Sequence, residues 1–145
     1  MSDRDIVTPA KVCYLSDMDR HILLINPWIY DFSAYDLWYK PLGLLSLASL
    51  LRIHGAKITF IDCLDADDPA MRHEHHITMP KRKPSGEGSY AAERIPKPPP
   101  LKSVPRNFHR YGMTPLVFQN TLKAIARPDL IMITSMMTYW YPGLF

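Results

Sequence analysis

The sequence has few of the features typical of disulfide-rich, membrane or nucleotide-binding proteins. Its 145 residues include two cysteines, Cys13 and Cys63, too few for a disulfide framework or a four-thiolate zinc site. The longest apolar run, residues 42–51, is too short to cross a bilayer, and the polar N-terminal stretch lacks the apolar core of a signal peptide. No predicted strand is followed by a G-x-G-x-x-G or Walker sequence, which disfavours dinucleotide and nucleoside-triphosphate binding. We therefore expect a cytoplasmic protein without a membrane segment.

Composition indicates one globular domain with an unusual middle segment. A hydrophobic content of 47% and a charged content of 21% are ordinary for a folded protein. Residues 69–112, however, carry nine Lys or Arg against three Glu, and 8 of the 14 prolines lie within residues 69–105. These features predict a Pro-rich basic insertion, residues 65–112, that cannot be a long helix, and connections of this length without regular structure are uncommon. Its aromatic residues should dock on the core, whereas residues 71–84 should be open to proteolysis.

The first part of the chain predicts one βαβ unit, residues 21–64. Residues 21–26 are a short apolar run rich in β-branched side chains, which is typical of a strand buried on both faces. In residues 41–54 the apolar side chains recur at the spacing of one helix face, and Gly55 follows as a stop signal. Residues 57–62 predict a second strand, and the crossover between the two should be right-handed.

The last part of the chain, residues 113–145, predicts a second helix–strand unit. Thr114-Pro115 supplies an N-cap and a proline in the first turn, and residues 116–126 continue as a helix. Residues 129–134 predict a third strand, and residues 135–143 the loop after it.

This alternation predicts an α/β fold: a Rossmann-like (flavodoxin-like), doubly wound parallel sheet, forming a single domain over residues 1–145. Three strands are few for such a sheet, since about four to six are typical. We therefore expect the chain to be a fragment of a longer protein. A short strand near residues 12–15, or one within the insertion, could add an edge to the sheet.

The predicted topology also locates a candidate site, because ligands of open α/β sheets bind beyond the carboxyl ends of the strands. Three loops lie there: residues 27–40, 62–68 and 135–143. Residues 27–40, the aromatic loop, hold six aromatic side chains in fourteen positions, and residues 136–142 repeat this composition. Such side chains pack against a ligand, the insertion or another domain, and the sequence leaves these alternatives open.

Several of these segments resemble a known family. They are Asn26-Pro27, Tyr30-Asp-Phe-Ser-Ala-Tyr-Asp36, Lys40-Pro-Leu-Gly-Leu44, Ile61-Asp-Cys63 and Thr134-Ser-Met-Met-Thr-Tyr-Trp-Tyr-Pro-Gly143. Together they look like the N-terminal cobalamin-binding-type domain of radical S-adenosylmethionine (Fe-S oxidoreductase-like) proteins, a likeness that covers residues 22–145.

The resemblance implies a cobalamin domain that precedes a barrel holding an iron-sulfur cluster and S-adenosylmethionine. The Cys-x3-Cys-x2-Cys motif that ligates such a cluster is absent here, so the chain alone is not expected to be catalytic. The expected partner is the C-terminal radical-enzyme domain of the same protein. The alternative is a non-catalytic interaction domain that packs its aromatic loops on that barrel without a cofactor.

The candidate cofactor-binding residues lie in the three carboxyl-end loops and at the start of the first helix. They are Trp28, Tyr30, Asp31, Tyr35, Asp36, Trp38, Lys40, Gly43, Asp62, Ser135, Met137, Thr138, Tyr139 and Trp140. We expect residues 139–141 to face the same crevice as Tyr30, Tyr35 and Trp38. Replacing Trp140 with alanine should then affect ligand binding, or docking of the following domain, more than core stability. Asp62 could instead cap its own loop.

Three other patterns point to weaker alternatives. Asp19-Arg-His21 begins the Asp-x-His-x-x-Gly motif that places an imidazole under cobalt, but Leu24 replaces the glycine. Residues 73–76, His-Glu-His-His, are more typical of a solvated loop than of a dedicated metal site. Lys81-Arg-Lys83 has no accompanying nucleic-acid motif, so nucleic-acid binding is not expected.

Overall fold

A computed structural model of the chain describes residues 19–65, 67–73, 77 and 80–145. The elements in chain order are β1 (His21–Asn26), β2 (Ile29–Asp31), β3 (Tyr35–Asp36), α1 (Leu42–Ile53), β4 (Lys57–Asp62), β5 (Gly88–Ser89), β6 (Ala92–Ile95), β7 (Phe108–Tyr111), α2 (Pro115–Ala124) and β8 (Leu130–Ile133). Short 3₁₀ helices occur at Pro69–His73, Pro99–Leu101 and Thr138–Leu144. The strand expected near residues 12–15 lies outside the described residues.

A three-stranded parallel sheet in the order β4–β1–β8 forms the centre of the fold. Ile22 of β1 is paired with Ile58 on one side and with Leu130 on the other. The three predicted strands and their parallel direction are therefore confirmed, and the first and third strands are neighbours. Because all three run the same way, their carboxyl ends share one edge of the sheet.

The sheet packs one helix on each face because successive side chains of a strand point to opposite sides. Ile22 and Leu24 pack with Leu44 and Ala48 of α1, while the other face of β1 packs with Val117 of α2. The fold is thus mixed α/β. Within the described residues, a full doubly wound arrangement is not seen.

Both helices begin and end within two residues of the predicted bounds. The α2 N-cap forms as expected, since Thr114 Oγ1 accepts the backbone N–H of Val117 at 3.2 Å. The α1 helix ends ahead of Gly55, whose φ of 91° favours glycine. None of the described helices is long and apolar enough to cross a membrane.

The described residues of the insertion contain three short strands, which form antiparallel pairs rather than an added edge of the parallel sheet. β7 lies between β2 and β6 in an antiparallel sheet, and β5 pairs with β3. Tyr90, Phe108 and Tyr111 are buried, as expected. The sheet joins the parallel sheet where the Met113 N–H donates to the Cys63 carbonyl at 2.7 Å.

The expected protease-sensitive stretch, residues 71–84, is anchored in the core at its start. Met71 is buried and Ile77 packs against the same apolar cluster, so these residues do bury apolar surface. Residues 74–76 and 78–79, and with them most of the His-Glu-His-His pattern, lie outside the described residues. The stretch 135–143, expected to be a loop, contains the 3₁₀ helix Thr138–Leu144.

Candidate functional site

A cleft lies beside the carboxyl ends of the parallel strands, between the first turn of α1 and the chain that follows β8. Its volume is about 280 Å³. We call it the carboxyl-end cleft, and its lining residues are Tyr39, Lys40, Pro41, Leu42, Gly43, Thr134, Met136, Met137 and Trp140. Apart from Lys40 and Thr134, the lining side chains are apolar or aromatic, and Gly43 contributes backbone only.

Four of the predicted residues meet in this cleft: Lys40, Gly43, Met137 and Trp140. At Gly43, a Cβ atom would have no neighbour within 4 Å, so the helix begins against open space. The other five lining residues were missed, although each lies within two positions of a predicted one in the sequence.

The two aromatic segments contact each other, as expected, but mainly through packing within the protein. Trp140 Nε1 donates to Asp31 Oδ2 at 3.0 Å, and the Trp140 side chain is only 8% exposed. It belongs to an apolar cluster that includes Ile29 and Tyr90. Tyr139, in contrast, is 60% exposed. The expectation that Trp140 serves a ligand more than the core is therefore not supported by its burial.

Several other candidates are engaged in structural contacts outside the cleft. Trp28 Nε1 donates to the Met113 carbonyl at 2.6 Å, and its ring packs edge-on against Phe118. Tyr30 pairs with Arg110 across β2 and β7.

The remaining candidates after β8 and in β3 also lie beside the cleft rather than in it. Ser135 Oγ donates to the Met137 carbonyl at 2.7 Å, which fixes the turn after β8. Thr138 is exposed at the start of the 3₁₀ helix. Tyr35 lies on β3 opposite Ser89.

Asp36 and Trp38 contact the basic insertion. Asp36 is 2% exposed and its Oδ2 accepts Arg82 Nη2 at 2.6 Å. Trp38, 58% exposed, donates from Nε1 to the Ser85 carbonyl at 3.0 Å. Burial, followed by the nearby charge of Asp36, raises the pKa of Tyr90 above its ordinary value.

Asp62 caps its own loop at the sheet edge, one of the two roles considered for it. Its Oδ1 accepts the Asn26 amide at 2.7 Å and the Leu64 backbone N–H at 3.1 Å, which caps the loop. Its Oδ2 lies 3.8 Å from Lys40 Nζ. The buried Asn26 was missed, although its place at the end of an apolar strand is unusual for a polar residue.

A second cleft of about 400 Å³ lies on the other side of Lys40. We call it the acidic cleft, and its lining residues are Lys40, Phe60, Ile61, Asp62, Asp65, Asp68, Met113 and Thr121. Lys40 is thus the one side chain that lines both clefts, and it separates an apolar surface from an acidic one.

The donor atoms around the strand ends do not form a metal site among the described residues, where no group of three His, Cys, Asp or Glu side chains could hold an ion. His21 lies at the amino end of β1, opposite the cleft, with Nε2 2.8 Å from Thr59 Oγ1. Burial raises the pKa of the Cys63 thiol to about 12, which keeps it protonated and a poor ligand.

Comparison with models of known protein families, with curated proteins and with solved structures found no match to this chain.

Proposed function

We propose that this chain is a cobalamin-binding-type α/β domain of a radical S-adenosylmethionine enzyme, holding a flat ligand at the carboxyl ends of its parallel strands. The observation that carries the proposal is the carboxyl-end cleft, where apolar and aromatic side chains meet one amine at the edge expected for ligands of open sheets. Catalysis would belong to residues outside this chain.

The cleft fits one edge of such a ligand. Its volume of about 280 Å³ is at the lower end for small-molecule sites, so most of a corrinoid would lie above it. Met136, Met137 and Tyr39 would contact the apolar edge of the corrinoid ring, since thioether and aromatic side chains adapt to flat surfaces. Lys40 would donate to a polar substituent.

When bound, cobalamin supplies a redox-active cobalt centre. The residues of this chain would orient the ligand and shield one of its sides from water. None of the residues that line the carboxyl-end cleft is a histidine, and His21 and His54 lie at the amino end of β1 and the carboxyl end of α1. The ligand would therefore be held by contacts to its periphery.

Titration with hydroxocobalamin, followed by absorbance and gel filtration, tests the proposal. Replacement Gly43→Leu would put a side chain into the open space of the cleft while favouring the helix, since leucine is a better helix former than glycine. We expect it to weaken binding at least about tenfold, the loss of a 1.4 kcal/mol contact, without lowering the melting temperature.

The matched control is Ser46→Leu, one turn further along α1, exposed and outside the cleft lining. It should leave binding unchanged. No spectral change and no co-elution at high protein concentration would reject corrinoid binding by this chain.

A second candidate is an interaction domain that docks on a C-terminal radical-enzyme barrel without a cofactor. Its supporting observation is apolar surface away from the cleft: Leu47, Leu50 and Ile53 of α1 are exposed. Monomeric proteins rarely expose large contiguous apolar patches. If this candidate is right, Leu50→Lys should reduce the binding of an apolar dye, and hydroxocobalamin should bind neither variant nor wild type.

A further inference from the structure

The rim of the carboxyl-end cleft, which we define as residues 38–40, is joined to the basic insertion through several contacts. The two-stranded sheet pairs Tyr35 with Ser89 and Asp36 with Gly88. Tyr39 and Lys40, which line the cleft, follow a few residues later. The path of the chain from β3 to the cleft is therefore fixed at its start by the insertion.

The carboxylate of Asp36 connects the two segments through its separate oxygens. Oδ2 accepts Arg82 Nη2 at 2.6 Å, and Oδ1 accepts the backbone N–H of Tyr39 at 3.2 Å. Because a carboxylate this buried is costly without its cation, Arg82 determines where Asp36 sits. Asp36 in turn holds the backbone of a cleft residue.

Trp38 provides a second connection at the same rim. Its φ is 64°, a left-handed conformation that is unfavourable for a bulky side chain and persists only where surrounding contacts impose it. The indole donates to the Ser85 carbonyl at 3.0 Å and lies against Gly86, where a Cβ atom would be 3.5 Å from Nε1. With 58% of its surface exposed, Trp38 is not held by core burial.

We infer that Arg82 is a positioning residue of the carboxyl-end cleft, acting through Asp36 on Tyr39 and Lys40. Trp38 provides a second connection between the insertion and these residues. The insertion then supports the cleft from behind without lining it, and ligand affinity depends on Arg82 through these contacts. The effect on affinity rests on the proposed function. The effect on the rim does not, because it concerns the ligand-free protein.

Amide hydrogen exchange of the ligand-free chain tests the inference first. Arg82→Lys retains the charge but loses the guanidinium geometry, and we expect the Tyr39 amide to exchange about tenfold faster. Trp38→Phe, at an exposed position where unfolding is not expected, removes the indole donor and should speed exchange in residues 38–40. The control Lys83→Met removes the exposed ion pair with Glu87 in the same turn and should leave the rim unchanged.

Hydroxocobalamin titration of the same proteins is the second arm. We expect dissociation constants raised about five- to tenfold in Arg82→Lys and Trp38→Phe, and unchanged in Lys83→Met. If amide hydrogen exchange in residues 38–40 is unaltered in both variants, the inference is wrong whether or not cobalamin binds. Faster rim exchange with unchanged affinity overturns the coupling to the ligand. Faster rim exchange with no binding even by wild type supports the positioning role and rejects the corrinoid.

Discussion

At the scale of single residues, the polar candidates of the aromatic loop are bound to partners within the protein. Asp31 accepts the indole of Trp140, and Asp36 accepts Arg82. Each partner is distant in the sequence, so local pattern could not distinguish a ligand-binding carboxylate from a structural one. What remains for a ligand is the ring of side chains between the start of α1 and the residues after β8.

The burial of Trp140 leads to a prediction about stability. Trp140→Ala should lower the free energy of unfolding by about 3–4 kcal/mol, because it removes a buried ring and leaves Asp31 without its indole donor. Urea unfolding followed by circular dichroism measures this. The exposed neighbour Tyr139 is the control, and Tyr139→Ala should cost less than about 0.5 kcal/mol. Equal effects at the two positions would contradict the assignment of Trp140 to the core.

Cys63 allows a prediction about pH. Its pKa rises from 9.0 unfolded to about 12 folded, because burial disfavours the thiolate and Asp62 lies nearby. This contribution to stability is complete below pH 9 and is lost as the pH rises from 9 toward 12. In a Cys13→Ser variant at pH 9.5, iodoacetamide should modify Cys63 slowly when folded and rapidly in denaturant. Rapid modification of the folded protein would show that the thiol is accessible.

At the scale of elements, the sequence predicted the parallel sheet and both helices because their signals are local. β1 and β4 are six-residue segments rich in apolar and β-branched side chains, and α2 carries its own N-cap at Thr114. The antiparallel sheet was missed because β6 and β7 are short and mix charged with apolar residues. Their partner β2 is also remote in the sequence, so only tertiary contacts define that sheet.

The junction between the two sheets gives a prediction at this scale. Gly112 has a φ of 115°, and a Cβ atom there would lie 2.3 Å from the Cys63 carbonyl oxygen. Gly112→Ala should therefore destabilise the fold by about 2 kcal/mol or more, through backbone strain and the separation of the two sheets. The matched control is Gly43→Ala, where space is open and the helix should gain up to about 1 kcal/mol. Thermal unfolding of both variants distinguishes the two effects.

At the scale of the whole molecule, the sequence predicted the edge of the sheet where the strands end and the cleft lies, but not the contacts by which the insertion holds residues 38–40. Parallel topology alone fixes where the strands end, and this follows from three recognisable strands. The prolines of the insertion excluded a long helix but did not indicate its strands. Yet Pro98-Pro-Pro100 lies in the connection between β6 and β7 and leaves their pairing intact.

Among the residues that the structure describes, the two edges of the parallel sheet differ in a way that predicts self-association. β4 begins with the exposed Lys57 and carries Thr59, whereas the four residues of β8 include no charged residue and no proline. Ile131 is 52% exposed, and Leu130 and Ile133 are also exposed. Natural edge strands are usually protected by charge, proline or a bulge, and an unprotected apolar edge promotes strand pairing between molecules.

We therefore expect the chain to associate as its concentration rises, through β8, with a molar mass that increases in light scattering after gel filtration. The double replacement Ile131→Lys and Ile133→Lys should keep the fold, because both side chains are already about half exposed, and should reduce association through repulsion at the edge. Ser46→Lys on α1 adds a charge at an exposed position away from β8 and should not change the association. If association persists in the β8 variant and disappears in Leu50→Lys, the apolar face of α1 is the contact instead, which would favour the interaction-domain alternative.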